Sequence, residues 1–219
     1  MLISCWSAKG GSGTTVVAAA IALRLARSVP VVLADLAGDL PLVLGGPEPA
    51  DDHPGLVDWL AAGPGVADTA IDRLMVSVSP RLSLLPRGAP RAEVVDDDSA
   101  GSRLAAALAA RGTVVADCGL ITPGSPSWTV AAEAQQSLLV MRTCYVALRR
   151  AMVLPLRPSA VVLIEEVGRM VDQDLVQEAL GVPVIARVEW DQTIGRAIDA
   201  GLLSCRFPPK LRRIVQAAA

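Results

Sequence analysis

The sequence predicts an α/β fold, a doubly wound and mainly parallel sheet flanked by helices. Short β-branched runs alternate with Ala- and Leu-rich amphipathic stretches along most of the chain, which is the pattern of repeated right-handed crossovers. Hydrophobic residues reach 52% while aromatics are only 3%, a mixture that suits helices laid on strands buried on both faces. At 219 residues the expectation is one large core, a single domain over 1–219.

Expected strands are Leu2–Trp6, Val31–Asp35, Leu82–Leu85, Thr113–Asp117, Ser137–Met141, Ala160–Ile164 and Pro183–Val188. Between them, helical spacing marks Gly13–Arg27, Leu56–Ala62, Ser102–Arg111, Ser127–Gln135, Val146–Leu154, Asp172–Leu180 and Gln192–Ala200. Two stretches read as long irregular loops. One runs from Leu36 to Pro54. The other, "PRGAPRAEVVDDDSAG", carries Asp96, Asp97 and Asp98 as an acidic lead-in to the next helix, where carboxylates suit the N-terminal dipole. There is no internal repeat and no linker that would divide the chain.

Composition narrows the function classes. Mean hydropathy is +0.46, yet no apolar run reaches the ~18 residues a membrane span requires. No basic segment precedes an apolar stretch at the N-terminus, so the expectation is a cytoplasmic chain without a signal peptide. Twenty basic against 22 acidic residues give a net charge of −2, which argues against non-specific nucleic-acid binding. Cys5, Cys118, Cys144 and Cys205 lack metal-ligand spacing and read as small buried hydrophobes in a reducing compartment. His53, the one histidine, lies in the loop "PEPADDHPG".

The informative segment is "SAKGGSGTT", Ser7–Thr15, between the first strand and the first long helix. Glycines there let the backbone turn tightly, and successive amide N–H groups form an anion nest at a helix N-terminus. Lys9-Gly10-Gly11-Ser12-Gly13 followed by Thr14 and Thr15 resembles the deviant Walker A loop of the ParA/MinD family of P-loop ATPases. In that family a signature lysine reaches across a dimer to the partner's nucleotide, and Lys9 takes its position. Other landmarks follow in order. Asp35 closes "VVLAD" where the family has a switch aspartate, and Asp117 closes "TVVAD" like a Walker B carboxylate holding Mg²⁺ through water. "LSLLPRG", "EEVGR" and "WDQTIGRAIDAG" resemble later family elements, so the likeness covers nearly the whole chain. It implies a site of Lys9, Gly10, Gly11, Ser12, Gly13, Thr14, Thr15, Asp35 and Asp117, with Thr15 and Asp117 toward the metal. ATP or ADP with Mg²⁺ is the implied cofactor, and a homodimer the implied assembly.

Three departures bear on activity. A working P-loop places lysine directly before its Mg²⁺-binding hydroxyl; here that position is Thr14. Charged hydrogen bonds are worth ~1.5–3 kcal/mol, so its loss weakens nucleotide binding by roughly 10- to 100-fold. The family's water-positioning aspartate, two residues past the switch aspartate, is Ala37; Asp39 is the substitute candidate, or simply a turn residue before Pro41. Glu166 stands near where MinD-like proteins use asparagine beside adenine, which opens the question of base specificity.

Loss of the P-loop lysine with two consecutive threonines most resembles the TadZ/CpaE branch, which localises pilus machinery. Its members usually carry a receiver-like domain, which is not expected within these residues. The resulting expectation is a nucleotide-binding dimer that organises or scaffolds pilus or division machinery with little hydrolysis, bound to an unidentified partner or cargo. One alternative is a slow ATPase switch in which Lys9 and Asp39 compensate. Another is an NAD-dependent oxidoreductase, because Gly11 to Val16 with Asp35 approximates a dinucleotide fingerprint. Val16 stands in that motif's third glycine position, and Lys9 and Asp117 go unexplained by it. The C-terminal stretch "CRFPPKLRRIVQAAA" holds Arg206, Lys210, Arg212 and Arg213 beside Leu211, Ile214 and Val215. A helix packed on its own domain is favoured over a membrane or DNA contact.

Overall fold

The computed structural model describes residues 1–46, 53–88, 98–203 and 211. Eight strands form one sheet: β1 (Leu2–Ser7), β2 (Val31–Asp35), β3 (Val76–Ser79), β4 (Leu82–Leu85), β5 (Thr113–Leu120), β6 (Gln136–Arg142), β7 (Ala160–Glu165) and β8 (Val184–Glu189). Their order is β3-β4-β2-β5-β1-β6-β7-β8, parallel throughout except for the antiparallel edge pair β3–β4. The helices are α1 (Thr14–Leu25), α2 (Leu40–Val43), α3 (Leu56–Ala61), α4 (Asp98–Ala109), α5 (Pro126–Glu133), α6 (Tyr145–Val153), α7 (Gln173–Leu180) and α8 (Gln192–Asp199). A 3-10 turn spans Asp68–Leu74.

Alternation along β1 builds both faces of the core. Leu2 and Trp6 point into one cluster with Leu104, Leu108 and Val130 of α4 and α5; Ile3 and Cys5 point into the other with α1. On that second face Ala18, Ala19, Ala20 and Ala22 are fully buried, and their small side chains let α1 lie close over β1 and β5. Strands enclosed on both faces read as continuous apolar runs, which is why they are legible in the sequence.

Every expected strand and helix is present, with ends shifted by up to four residues. Three elements fall where none is expected: edge strand β3, the 3-10 turn at Asp68–Leu74, and α2 inside the expected Leu36–Pro54 loop. Helix α4 begins at Asp98 rather than Ser102. Gly101 sits inside it because α5 packs there: a Cβ on Gly101 would lie 2.5 Å from Thr129 Cβ. Asp96, Asp97, Cys205, Arg206, Lys210, Arg212, Arg213, Ile214 and Val215 lie outside the described residues. Leu211 is described and buried.

The strand order decides against the dinucleotide alternative. In that fold the first and second strands are neighbours; here β5 lies between β1 and β2. No helix among the described residues is long and apolar enough to cross a membrane.

Candidate nucleotide site

At the carboxyl end of β1 the chain enters the turn Ala8–Gly13 and then α1. Gly11 and Gly13 have φ of 75° and 85°, a left-handed geometry that strains any residue with a Cβ. Gly13 caps α1, and no side chain caps it, so the first amides of the helix are available to an anion. Within the turn the Ser12 hydroxyl donates to Lys9 O at 2.6 Å. Thr14 is buried at 6% exposure and Thr15 half-buried. Lys9 is half-buried, with Nζ 3.5 Å from Gly10 O, a marginal contact that leaves its charge unpaired by any acid among the described residues.

Asp35 and Asp117 face each other across the β2–β5 pairing, and both are fully buried. Asp35 is anchored: Oδ1 accepts from Ala37 N at 3.1 Å and Gly38 N at 2.6 Å, and Oδ2 accepts from Leu40 N at 3.1 Å. One carboxylate thereby shapes the whole turn into α2. Asp117 is less well satisfied. Its Oδ1 accepts from Gly119 N at 3.1 Å, while Oδ2 is buried without a partner. Burial pushes Asp117 up to about 7; the Thr15 hydroxyl beside it pulls the other way, and the charge of Asp35 adds to the rise. Burial likewise lifts Asp35 to about 6 against the three amides that favour its charged form. An unpaired buried carboxylate oxygen next to a threonine hydroxyl is a donor set that suits a hard cation such as Mg²⁺.

Ala37 packs on the end of β5, where a Cβ on Gly119 would fall 2.9 Å from the Ala37 Cβ. The position two residues past Asp35 therefore carries no carboxylate. Asp39 is exposed; it caps α2 without a side-chain hydrogen bond and lines the neighbouring cavity.

Two cavities flank the turn. The larger, about 560 Å³, is bounded by Gly10, Gly13, Thr14, Thr15, Asp39 and Arg87 among others. The smaller, about 190 Å³, is mostly apolar and lies between the turn and the β8–α8 segment, with Val188, Trp190, Ile194 and Leu211 in its wall. Gly11, Gly13, Val16 and Ile198 line both, so a single ligand can follow the loop from one into the other. A glycine turn with available helix amides opening on the larger cavity, and an apolar slot beside it, together fit a nucleotide.

Solved structures share this architecture. MinD from Pyrococcus furiosus superposes with a TM-score of 0.75 at 22% identity, over 100% of this chain and 99% of that one. A ParA family ATPase from Chlorobium tepidum gives 0.74 at 21% identity, over 98% and 97%. The Pyrococcus horikoshii MinD, solved with Mg-ADP, gives 0.75 at 20% identity, over 99% and 93%. The chain has the ParA/MinD fold. Sequence comparison finds no matching family model and no matching curated protein.

On the ParA/MinD fold, the expected residues Lys9–Thr15, Asp35, Asp39 and Asp117 come together at the carboxyl edge of β1, β2 and β5. Sequence reasoning named none of Arg142, Arg169 and Trp190 as a site residue, although Arg169 closes "EEVGR" and Trp190 opens "WDQTIGRAIDAG". Arg142 and Arg169 both pair with Glu166, the second at 2.7 Å, and the Arg142 guanidinium lies 5.7 Å from the Trp190 ring centroid. Cys144 is also near: the amides of Ala147 and Val146 and the charges of Lys9 and Arg169 hold its thiol below the ordinary range. Cys5 and Cys118 are buried as expected, and no cluster of three metal-ligating side chains occurs among the described residues.

Proposed function

We propose that this chain is a cytoplasmic nucleotide-binding homodimer that organises or scaffolds other machinery, with weak nucleotide affinity and little or no hydrolysis. The observation that carries the reading is Thr14, buried in an otherwise intact glycine cradle where a phosphate-clamping lysine belongs. The cradle can hold phosphates through backbone amides, but it lacks the cation that stabilises charge during phosphoryl transfer. Thr15 and Asp117 would hold Mg²⁺, which supplies charge neutralisation at the phosphates; the Mg-ADP bound by the Pyrococcus horikoshii MinD supports this choice.

Assembly follows from the exposed surface around the loop. Leu120 ends β5, Tyr145 follows β6, and Val167 and Met170 follow β7, all exposed and on the edge that carries Lys9. A second copy placed over that edge covers these apolar side chains and gives Lys9 an anion in the partner's site. The cargo fits the TadZ/CpaE-like role in positioning pilus or division machinery, through an unidentified partner protein. The C-terminal basic residues lie outside the described residues, and a membrane or DNA contact through them is the less favoured reading.

Calorimetry with Mg²⁺-ATP is expected to give micromolar or poorer affinity, and Thr14→Lys is expected to tighten it by roughly 10- to 100-fold. Nanomolar binding by the wild type would show that the missing lysine has been replaced.

Turnover is expected near background, with little further loss in Asp117→Ala, because Ala37 supplies no group to position water. Asp39 reaches the larger cavity and is the one residue that favours the slow-switch alternative. Brisk ATPase activity that disappears in Asp39→Ala would establish that alternative instead.

A further inference from the structure

A nucleotide-binding chain with little hydrolysis takes its state from which nucleotide it holds, so the site needs a means of telling a triphosphate from a diphosphate. The larger cavity contains one cation suited to that task. Among the described residues in its wall only Arg87 and Asp39 carry charge, and Gly13, Thr14 and Thr15 of the cradle line the same space. Arg87 follows β4, and its backbone is fixed by α3: Pro86 O accepts from Leu56 N and Arg87 O from Val57 N, each at 2.9 Å. Gly55 permits this close docking, because a Cβ there would lie 2.2 Å from Gly88 N. The side chain is placed as well. A Cβ on Gly38 would lie 3.4 Å from Arg87 Cδ, so the arginine stem runs along the turn that Asp35 organises. Arg87 is half-buried and forms no ion pair with a described residue.

Strand order gives this placement a direction. Along the carboxyl edge of the sheet the strands run β4-β2-β5-β1-β6-β7-β8. The apolar slot lies at the β7–β8 side, with Ile164, Val188 and Trp190 in its wall. The glycine turn leaves β1, and Arg87 leaves β4 on the far side of β1 from the slot. A nucleotide with its base in the slot and its phosphates along the turn therefore ends toward Arg87. We infer that Arg87 binds the terminal phosphate of a nucleoside triphosphate held by its own subunit, and so makes the site selective for triphosphate over diphosphate. A guanidinium presents five donors in a fixed fork that matches two phosphate oxygens at once. Asp39 sets an opposing charge in the same wall, but it is exposed, and water and salt screen it. Arg87 stands beyond the end of the loop and does not restore the clamp missing at Thr14, so micromolar affinity is still expected. Its contact with Gly38 joins the bound phosphate to the Asp35 turn and α2.

This inference rests on the nucleotide reading, and the two fail differently. The test is calorimetry of the full chain with Mg²⁺-ATP and, in parallel, Mg²⁺-ADP. Wild type is expected to bind ATP at least about tenfold tighter than ADP, the worth of one charged hydrogen bond. Arg87→Met keeps a stem against Gly38 and removes the fork. It is expected to weaken ATP by at least about tenfold and to leave ADP unchanged, with thermal unfolding in the absence of nucleotide as the check on its fold. Arg87→Lys keeps the charge but not the fork, and is expected to fall between the two; it serves also where Arg87→Met does not fold. ATP and ADP weakened equally in these variants would make Arg87 a general contributor to the charge of the site and overturn its selectivity. Unchanged affinity for both would remove it from the site. A wild type that binds ATP and ADP equally would overturn the inference without any variant, and would leave the nucleotide reading standing. No binding of either nucleotide by wild type would overturn the nucleotide reading as well.

Discussion

Asp117→Asn is expected to stabilise the nucleotide-free protein at pH 8 while removing the Mg²⁺-dependent part of nucleotide binding. In the folded chain Asp117 is raised to about 7 from an ordinary value of 3.8. Between those values the folded state holds a proton that the unfolded state has released, so stability falls as pH rises. Its contribution is fully present below about 4, declines through 7 and is gone above. Asp35, raised to about 6 for the same reason, adds to the same slope. A shift of this size corresponds to an energy on the order of 4 kcal/mol, an upper figure because a neighbouring cation or relaxation reduces it. Asparagine keeps an acceptor for Gly119 N and carries no charge, and it also relieves Asp35 across the strand pair. Urea unfolding at pH 5 and pH 8 without Mg²⁺ checks this: the wild type loses stability at the higher pH, and the variant loses far less. A variant weaker than wild type at pH 8 would refute the claim that Asp117 is held under strain for a cation.

Lys9→Glu is expected to convert the nucleotide-bound dimer to monomer. Lys9 makes only a marginal contact with Gly10 O, and its charge is felt at Cys144 on the open side of the loop. A lysine held beside the glycine turn, with no acid partner among the described residues, makes sense if the anion comes from the second copy. Glutamate in its place sets negative charge against phosphate, and at close range in a desolvated interface such a contact costs several kcal/mol. Light scattering at saturating Mg²⁺-nucleotide is expected to show a dimer for wild type and a monomer for the variant. Equal masses for the two, with and without nucleotide, would remove Lys9 from the interface. Because Leu120, Tyr145, Val167 and Met170 are unaltered in this variant, a loss of dimer is attributable to the charge and not to the apolar ring.

The parts of the site carried by contiguous sequence were legible from residue types. Gly11 and Gly13 announce a tight turn, Thr14 and Thr15 open a helix, and "VVLAD" and "TVVAD" each end an apolar run on an acid that the sheet must bury. Those features depend on local conformation and on periodicity, which a linear reading captures. The absence of lysine at Thr14 and of aspartate at Ala37 is equally plain in the sequence.

Tertiary structure decided the remainder. Edge strand β3 is four residues, Val-Ser-Val-Ser, with one half-buried position; its alternation is too short to mark a strand by itself, and it pairs with the open edge of β4. Gly101 falls in the expected loop ahead of Ser102 and is instead a helix residue made small by the approach of Thr129. Arg142, Glu166, Arg169 and Trp190 come from three separate strand ends, and only the order β6-β7-β8 places them side by side. Long-range neighbours of that kind leave no spacing in the chain. By itself, then, the sequence determined the fold class, the glycine turn and the two buried carboxylates, because each is written in adjacent residues. The unpaired Oδ2 of Asp117, the exposure of Asp39 and the Arg142–Glu166–Arg169 cluster were decided by packing, because burial and pairing are properties of neighbours that only the folded sheet brings together.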